Sequence, residues 1–339
     1  MKVAKEMYEK QLEDKPDYSQ LPIDVYALTM VWGDNSPYIR SKNLRIPAPL
    51  SEEYLAINRG NVRKYLKPYF KDKPISKLRT KDFHEFVNWL TCRPKPLAAS
   101  TISNIVGCLN VTVRYAAALE HIPLNIVPTG KLSSRYGKKR DAFTVGEVQA
   151  LLNAAWGDEV AKLATLVVFL TGIRMGELRA LRVDDISGNN VEIDESFSKV
   201  AGIKCPKNRK KRQVVLPDSV IESMLSHQKE DPENSGFIFW GTNGRPISDR
   251  RLTAALMAAA KAIGITPAQW SNRLLGFHAL RHSHVSAMRG VLPGNLMGKM
   301  VGHADGRTTD RYDHLTTVEL SLAFREVTSL HDQYRRRDQ

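Results

Sequence analysis

The chain has 339 residues, of which 42% are apolar and 25% charged, and its formal net charge is +14 at pH 7. This length suggests about two domains, and the composition is that of an ordinary globular protein, which excludes wholesale disorder. No apolar run approaches the ~20 residues that cross a bilayer, and the first residues lack the apolar segment of a signal peptide. The three cysteines, Cys92, Cys108 and Cys205, are widely spaced, which argues against a disulfide framework or a thiolate zinc site and fits a reducing cytosol.

The excess positive charge is concentrated in the first part of the chain. Residues 1–140 carry 24 Lys+Arg against 13 Asp+Glu, whereas residues 141–339 carry 26 against 23. Such an excess favours a polyanionic partner, because basic groups that bind phosphates release counterions. A membrane surface would require a basic amphipathic helix or a lipidation signal, and neither is present. A simply solvated basic surface is the alternative that charge alone leaves open.

Residues 1–21 are predicted to form a charged arm, and residues 22–125 an all-α domain. Helical patterns occupy residues 51–70, 80–91 and 98–120, with Ser51 and Thr80 as candidate N-caps of the first two helices. The predicted buried face of the first helix consists of Leu55, Ile57, Val62, Tyr65 and Leu66. Its opposite, basic face consists of Arg59, Arg63, Lys64 and Lys67.

Residues 126–141 have the composition of a linker, rich in Pro, Gly and Ser with few apolar residues. Its basic side chains could follow a phosphate backbone, although a solvated linker without a ligand is equally compatible with the pattern. These side chains are Lys131, Arg135, Lys138, Lys139 and Arg140.

Residues 142–325 are predicted to form a mixed, mostly helical domain with a small antiparallel sheet. Thr144 and Glu147 form a capping-box pattern, and KLATLVVFLTGI is typical of a buried helix. The segments VEIDESFSKV and RQVVLPDS are predicted to be neighbouring strands of one sheet. Further helices are predicted at residues 249–262, 278–289, 293–301 and 308–324, and residues 326–339 form a tail.

Unusual polar residues follow the buried helix. In LTGIRMGELRALRVDDI, Arg174 stands where the chain leaves the core, and a buried arginine is costly without an anionic partner. Glu177 or Asp185 could supply that partner internally. The turn-rich segment 199–213 adds lysines that are either solvated or placed to reach a phosphate: Lys199, Lys204, Lys207, Lys210 and Lys211.

Two histidine-containing segments complete the set. In GFHALRHSHVSAM, His278 and Arg281 are three residues apart and share a helix face. His282 lies four residues after His278, but no H-E-x-x-H pattern and no nearby carboxylate or thiolate at ligand spacing supports a metal site. In MVGHADGRTTDRYDHL, His303 follows an apolar segment and Tyr312 lies in a polar one, where a tyrosine by itself is usually a surface aromatic.

Together these residue types suit phosphodiester transesterification. Two guanidiniums can clamp the non-bridging oxygens of a pentavalent phosphorus, and imidazoles can donate hydrogen bonds and move protons. A phenol can attack phosphorus while a lysine protonates the departing 5′ oxygen. Because a covalent phosphotyrosine stores the bond energy, this chemistry needs neither metal nor ATP.

The order and spacing of TGIRMGELRAL, PKNRKKRQVVLP, HALRH and GHADGRTTDRYDH resemble the tyrosine recombinases of phages and mobile elements. The resemblance covers about residues 22–325 and implies a helical core-DNA-binding domain and a mixed catalytic domain. It also implies catalytic roles for Arg174, Glu177, Lys207, His278, Arg281, His303 and the nucleophile Tyr312. Lys207 matches the hairpin lysine best, with Lys204 and Lys210 as alternatives, because Asn208 replaces a common threonine. Beyond the basic helix face and the linker, the residues expected to contact DNA are Lys95, Thr101 and Asn104.

The resemblance further implies double-stranded DNA as substrate, a homotetramer on DNA, and an accessory directionality factor as a candidate partner. It implies no cofactor, no membrane, and a cytoplasmic, bacterial or phage-encoded protein. Residues 1–21 are too short for the arm-binding domain that many members carry, so the chain either lacks one or is a fragment. The C-terminal segment could pack on a neighbouring protomer or on its own core. A topoisomerase-like DNA-relaxing enzyme and a non-catalytic DNA-binding protein are the competing functions.

Overall fold

The computed structural model describes residues 17–45, 49–119, 121–122, 141–205 and 211–288. The chain divides into two compact units, Met1–Gly137 and Lys138–Gln339, and each has its own apolar core. Within the described ranges, no helix combines the length and the apolar character that crossing a membrane requires. The architecture is mainly helical with small antiparallel sheets, as the sequence predicts.

The described part of the first unit is helical, apart from an isolated bridge between Pro22 and Pro74. Its helices are α1 (Ile23–Tyr26, continued by a π-helical turn at Ala27–Trp32), α2 (Pro37–Arg45), α3 (Glu52–Asn61, continued by a π-helical turn at Val62–Leu66), α4 (Lys67–Phe70), α5 (Thr80–Thr91) and α6 (Ala99–Ala118). Helices α1 and α2 are not among the helices predicted from the sequence. Both belong to the core nevertheless. The buried indole of Trp32, at the end of the turn that continues α1, donates a hydrogen bond to the Thr112 hydroxyl on α6 at 3.1 Å, and Ile39 of α2 is buried.

The first predicted helix begins where expected, but one of its core positions is wrong. The hydroxyl oxygen of Ser51 accepts a hydrogen bond from the backbone N–H of Tyr54 at 3.3 Å, which caps α3. Leu55 is buried, whereas Ile57 is 57% exposed. Residues two apart in an α-helix lie about 200° apart around its axis, so both cannot face the same core.

Helix α5 is capped differently from the prediction. Thr80 is its first helical residue, and the carboxylate of Asp82 accepts a hydrogen bond from the backbone N–H of Arg79 at 2.7 Å. An acidic side chain in the first turn satisfies a free N–H group and interacts favourably with the helix dipole. The predicted bounds of this helix are confirmed, and Phe83, Phe86 and Leu90 are completely buried.

The second unit combines helices and short strands. Its helices are α7 (Val145–Asn153), α8 (Glu159–Thr171), α9 (Met175–Ala180), α10 (Asp218–Lys229), α11 (Asp249–Ala262), α12 (Pro267–Arg273) and α13 (Phe277–Met288). Its strands are β1 (Ile186–Ser187), β2 (Asn190–Ile193), β3 (Ser196–Ser198), β4 (Gly202–Lys204) and β5 (Arg212–Val215). The capping box of Thr144 and Glu147 is confirmed at the start of α7. Helices α9, α10 and α12 are additions to the prediction, and the predicted helices at 293–301 and 308–324 lie outside the described residues.

The strands form two sheets rather than one. Strand β2 pairs antiparallel with β5, as predicted, and β1 completes this sheet in the order β1-β2-β5. The segment VEIDESFSKV, however, is not one strand, because β3 leaves the sheet and pairs with β4. A turn at residues 199–201 closes that hairpin, and Gly202 with a φ of 68° adopts the left-handed conformation that glycine tolerates best.

The connection between α8 and α9 places the polar residues at the end of the core. Gly172 ends α8 in the left-handed conformation, and its N–H donates to the Val168 carbonyl oxygen at 2.8 Å. Helix α9 then packs closely on β3, where a Cβ atom on Gly176 would lie 2.5 Å from the Ser196 hydroxyl oxygen. The missing side chain of Gly176 therefore permits this helix and strand to meet.

Candidate active site

The candidate site is organised around the buried carboxylate of Glu177. Arg174 is the N-cap of α9 and Glu177 is its third residue. One carboxylate oxygen accepts a hydrogen bond from the Arg174 backbone N–H at 2.8 Å, and the other accepts from the Arg174 Nη1 at 2.8 Å. The single carboxylate thus caps the helix and orients the guanidinium of Arg174.

A second arginine binds the same carboxylate from the sheet. Arg212, the first residue of β5, donates from Nη2 to Glu177 Oε2 at 2.6 Å and from Nη1 to Oε1 at 3.3 Å. Glu177 is 1% exposed and the Arg212 side chain 10% exposed. Bidentate pairs of this kind have defined geometry, so Glu177 couples the position of α9 to that of the sheet.

The charge state of Glu177 results from two opposing effects. Burial raises the pKa of this carboxyl, because a charged group loses hydration. The hydrogen bonds and charges of Arg212 and Arg174 act in the opposite direction and are stronger together, so the pKa is lowered overall. Glu177 is therefore ionised at neutral pH.

Helix α13 brings a third arginine to this region. Arg281 is 4% exposed, and its Nη1 donates a hydrogen bond to the carbonyl oxygen of Gly172 at the end of α8. Burial lowers the pKa of Arg281 to about 10, and the positive charges of Arg174 and Arg212 contribute to that shift while Glu177 opposes it. Arg281 is still charged at neutral pH.

His284, one turn after Arg281, also connects α13 to α8. It is 1% exposed, and its Nδ1 lies 2.7 Å from the carbonyl oxygen of Phe169. A carbonyl oxygen only accepts, so the Nδ1 of His284 carries the proton. Burial lowers the pKa of His284 to about 4, which keeps the imidazole neutral. Two side chains of α13, Arg281 and His284, therefore bind carbonyl oxygens at the C-terminal end of α8.

The sum of these contacts is a site with excess positive charge. Arg174, Arg212 and Arg281 contribute three guanidiniums, and Glu177 contributes one carboxylate. Arg281 binds the carbonyl oxygen of Gly172, two residues before Arg174. Preorganised arginines in a poorly hydrated environment are well suited to stabilise a phosphoryl group whose negative charge increases in a transition state.

His278 occupies a different position from Arg281 on α13. His278 is exposed while Arg281 is buried, and the rings of His278 and His282 make an edge contact with centroids 5.1 Å apart. No group of three or more His, Cys, Asp or Glu side chains suitable for a metal is found within the described ranges. Of the remaining predicted catalytic residues, Lys207, His303 and Tyr312 lie outside them.

The lysines of segment 199–213 that the structure describes have different environments. Lys199 lies 2.9 Å from a carboxylate oxygen of Asp249, and Lys211 contacts both Glu192 and Asp194 at 3.0 and 2.9 Å. Lys204 is half-buried at the end of β4. Lys210, like Lys207, lies outside the described residues.

The first unit presents most of the predicted DNA-binding side chains to solvent. Arg63, Lys64, Lys67, Lys95 and Asn104 are exposed, and Thr101 is half-buried. The five basic residues of the linker, Lys131, Arg135, Lys138, Lys139 and Arg140, lie outside the described residues.

Arg59 corrects the prediction of a uniformly solvated basic face. Its side chain is only 17% exposed, its Nε donates to the Trp32 carbonyl oxygen at 2.9 Å, and its Nη2 lies 2.8 Å from a carboxylate oxygen of Asp34. The guanidinium thus connects α3 to the end of the first helical segment. The helical pattern alone could not show this, because Trp32 and Asp34 are distant in sequence.

Arg212 and His284 have structural roles at the site that the sequence reasoning did not assign. The sequence pattern could have indicated the role of Arg212. Residues 212, 214 and 216 of a strand point to one face, and Val214 and Leu216 on that face are buried. A charged residue on a buried strand face requires a partner. His284 similarly lies three residues after Arg281 on a helix, which places both on the buried side.

Comparison with known protein families and sequences gives concordant results. The Phage integrase family matches residues 142–319, and the phage integrase SAM-like domain matches residues 48–133. An integrase of Streptomyces ambofaciens is 27% identical over 259 residues, covering 69% of this chain and 64% of that protein. The alignment thus spans less than two thirds of that integrase. Tyrosine recombinase XerD of Rickettsia bellii is 26% identical, covering 75% of this chain and 86% of that protein.

Solved structures of similar fold are also integrases. The Tn1549 transposon integrase in complex with transposon right end DNA has a TM-score of 0.63 at 16% identity, over 86% of this chain and 98% of that one. A lambda integrase dimer bound to a COC′ core site has a TM-score of 0.60 at 19% identity, over 83% and 96%. A lambda integrase tetramer bound to a Holliday junction has a TM-score of 0.61 at 18% identity, over 87% and 79%.

Proposed function

Because this chain belongs to the phage integrase family, we propose that it is a site-specific DNA recombinase that cuts and rejoins duplex DNA through a 3′-phosphotyrosine. The observation that carries the proposal is the excess of positive charge at Glu177, whose carboxylate binds Arg174 and Arg212 while a third arginine, Arg281, is held at the Gly172 carbonyl oxygen before α9. This arrangement suits the negative charge of a phosphodiester under attack.

Each predicted residue has a defined role in this reaction. The Tyr312 oxygen attacks the scissile phosphorus, and the bond from phosphorus to the 5′ oxygen breaks. Lys207 protonates that oxygen, while Arg174 and Arg281 bind the non-bridging oxygens. The phenol proton of Tyr312 passes to the imidazole of His278 or His303, and both imidazoles can donate hydrogen bonds to the phosphate oxygens. Attack by the 5′ hydroxyl of a partner strand then forms a new phosphodiester and returns the proton to Tyr312.

Glu177 and Arg212 position Arg174, the arginine that binds the phosphate, and do not contact the phosphate themselves. Glu177 holds Arg174 through both its backbone and its side chain, and Arg212 neutralises and orients Glu177. The reaction conserves bond energy in the phosphotyrosine, so we propose that it proceeds without metal or ATP.

The two parts of the chain would divide the work. We propose a core-DNA-binding domain at residues 22–125, a basic linker at 126–141 and a catalytic domain at 142–325. Four copies would assemble on two DNA sites. The first unit would bind the phosphate backbone of each site through exposed basic side chains, including Arg63, Lys64 and Lys67.

A nicked suicide duplex tests the proposal. Incubation should trap a covalent protein–DNA adduct that resists denaturation, also in the presence of EDTA and without ATP. Tyr312→Phe should abolish the adduct but bind the same duplex. An adduct that persists in Tyr312→Phe contradicts the nucleophile assignment. DNA relaxation by a monomer without a specific site would indicate the topoisomerase-like alternative, and binding without any covalent product the non-catalytic one.

The arginines can be tested separately from binding. Arg174→Ala and Arg281→Ala should lower the rate of adduct formation by a factor equivalent to about 3 kcal/mol or more, while the Kd for DNA changes little, because their donors act in the chemical step. Equal losses in rate and affinity would show that these arginines hold the fold rather than the transition state.

A further inference from the structure

A second basic site lies in the unit that carries the Glu177 cluster. A cleft of about 480 Å³ lies where β3 meets the loop before α11. Four basic side chains line it, namely Arg179, Lys199, Arg245 and Arg251. None of them belongs to the cluster of Arg174, Glu177, Arg212 and Arg281.

Arg179 is the innermost of these residues. It is 6% exposed, its guanidinium lies 4.7 Å from the centre of the Phe197 ring, and its Nε donates to the Ile247 carbonyl oxygen at 2.7 Å. Among the described residues, no carboxylate forms a salt bridge with it. Burial lowers the pKa of Arg179, and the negative charge of Asp249 offsets only part of that decrease. A buried cation without a paired carboxylate is costly, and an anion in the cleft would relieve that cost.

The other basic residues differ in how far they are already paired. Lys199 contacts Asp249 at 2.9 Å, and Arg251 forms a bidentate pair with Asp158 at 2.6 and 3.0 Å. Arg245 is exposed and makes no salt bridge with any residue that the structure describes. The uncompensated charge of the cleft therefore comes from Arg179 at its wall and Arg245 at its rim.

The chemistry of the cleft suits the oxygens of an anionic group such as a phosphate. Two guanidiniums offer several N–H donors in planar forks, which match the oxygens of a phosphodiester. Thr242, Asn243 and Ser248 also line the cleft and add short polar side chains beside these forks. Phosphate contacts away from the reacting bond position a protein on duplex DNA without reading its sequence.

We propose that this cleft binds a backbone phosphate of duplex DNA other than the scissile one, with Arg179 and Arg245 as its donors. The proposal rests on the proposed function for the identity of the polyanion, but it makes a separate claim about where the catalytic unit holds the DNA. The contact would position the duplex and take no part in bond breaking.

The salt dependence of DNA binding tests this contact. A fluorescein-labelled duplex of arbitrary sequence is titrated with the full chain at several salt concentrations. The slope of log K against log salt is negative, and each lost phosphate contact should make it less steep by about 0.9. Arg245→Ala should show this loss. Lys261→Ala removes an equally exposed charge at the C-terminal end of α11, away from the cleft, and should leave the slope unchanged.

Arg179→Lys keeps the charge but removes the planar fork, so it should weaken binding with a smaller change of slope; its Tm shows whether it folds. Ethylation interference on the nicked suicide duplex then locates the contact. Ethylation of one particular phosphate should weaken DNA binding by the unchanged protein and by Lys261→Ala. Ethylation of the same phosphate should not weaken binding by Arg245→Ala further.

The proposal is overturned if Arg245→Ala and Lys261→Ala give the same slope and the same interference pattern, which would leave the cleft for another anion, such as an acidic peptide. This outcome is distinct from failure of the proposed function. Loss of the covalent adduct would defeat the recombinase assignment, whereas the slope and the interference pattern report on the cleft.

Discussion

Arg212 and Glu177 stand 35 residues apart in the chain and meet in a bidentate ion pair at 2.6 and 3.3 Å. The pair joins the first residue of β5 to the first turn of α9, and Glu177 in turn holds the backbone and side chain of Arg174. The geometry of a proposed catalytic arginine thus depends on a residue from a different element.

Replacing Arg212 should therefore affect cleavage more than DNA binding. Arg212→Ala leaves Glu177 buried with one partner fewer, and loss of one member of a buried pair costs about 3 kcal/mol. We expect a lower Tm and slower adduct formation on the suicide duplex, with partial rescue by Arg212→Lys. The neighbouring Lys211→Ala removes the exposed ion pairs with Glu192 and Asp194 and serves as the control, since exposed pairs contribute little. Equal behaviour of both variants would refute a positioning role for Arg212.

His284 should be replaceable only by a residue that donates from the same place. The amide nitrogen of asparagine occupies a position similar to the imidazole Nδ1, whereas that of glutamine corresponds to Nε2. His284→Asn should therefore keep the bond to the Phe169 carbonyl oxygen and retain more cleavage activity than His284→Gln. Single-turnover cleavage at saturating enzyme separates this effect from binding. If the two variants cleave equally fast, the Nδ1 bond does not position α13.

The same histidine predicts a pH dependence of stability. Its pKa is about 4 in the folded protein, against an ordinary value of 6.5 for histidine, so the unfolded chain binds the proton more readily. Stability is retained above pH 6.5 and falls as the pH decreases from about 6.5 towards 4. The full shift corresponds to about 3 kcal/mol. Denaturant unfolding at several pH values should show a decline that is reduced in His284→Asn; an identical decline in both proteins would exclude His284 as its source.

Gly176 should tolerate no side chain. A Cβ atom there would lie 2.5 Å from the Ser196 hydroxyl oxygen and 3.0 Å from the Phe197 carbonyl oxygen, so the Ser196 side chain would have to rotate and the backbone contact between α9 and β3 would have to widen slightly. We expect Gly176→Ala to destabilise the protein by about 1–3 kcal/mol, the range for overpacking, and to slow cleavage because α9 carries Glu177. Gly146→Ala, with nothing within 4 Å of the added carbon, should be neutral or stabilising. Thermal unfolding of both variants decides this.

Short-range patterns accounted for much of the fold. The capping box at Thr144 and the bounds of α5 and α11 follow from local signals. Helices α1 and α2 were not predicted, and they contact α6 through pairs distant in sequence, Trp32 with Thr112 and Tyr38 with Tyr115. Local patterns carry no information about such distant partners.

In the predicted site, too, neighbouring residues were predictable from the sequence and the choice among their partners was not. Arg174 and Glu177 are three residues apart, so their pairing was open to sequence reasoning, with Asp185 as the alternative. The structure selects Glu177 for this bond. Asp185 instead accepts a hydrogen bond from the Arg182 backbone at the start of a short 3-10 turn.

The amino-acid sequence by itself predicted a polyanionic partner and a set of candidate reactive groups, because net charge and the order of short motifs do not depend on folding. Only the tertiary structure decided which arginines share the Glu177 carboxylate, why Arg59 is paired rather than solvated, and where Arg179 is buried. Ion pairing and burial depend on distances between atoms far apart in the chain, and those distances exist only once the helices and strands have packed.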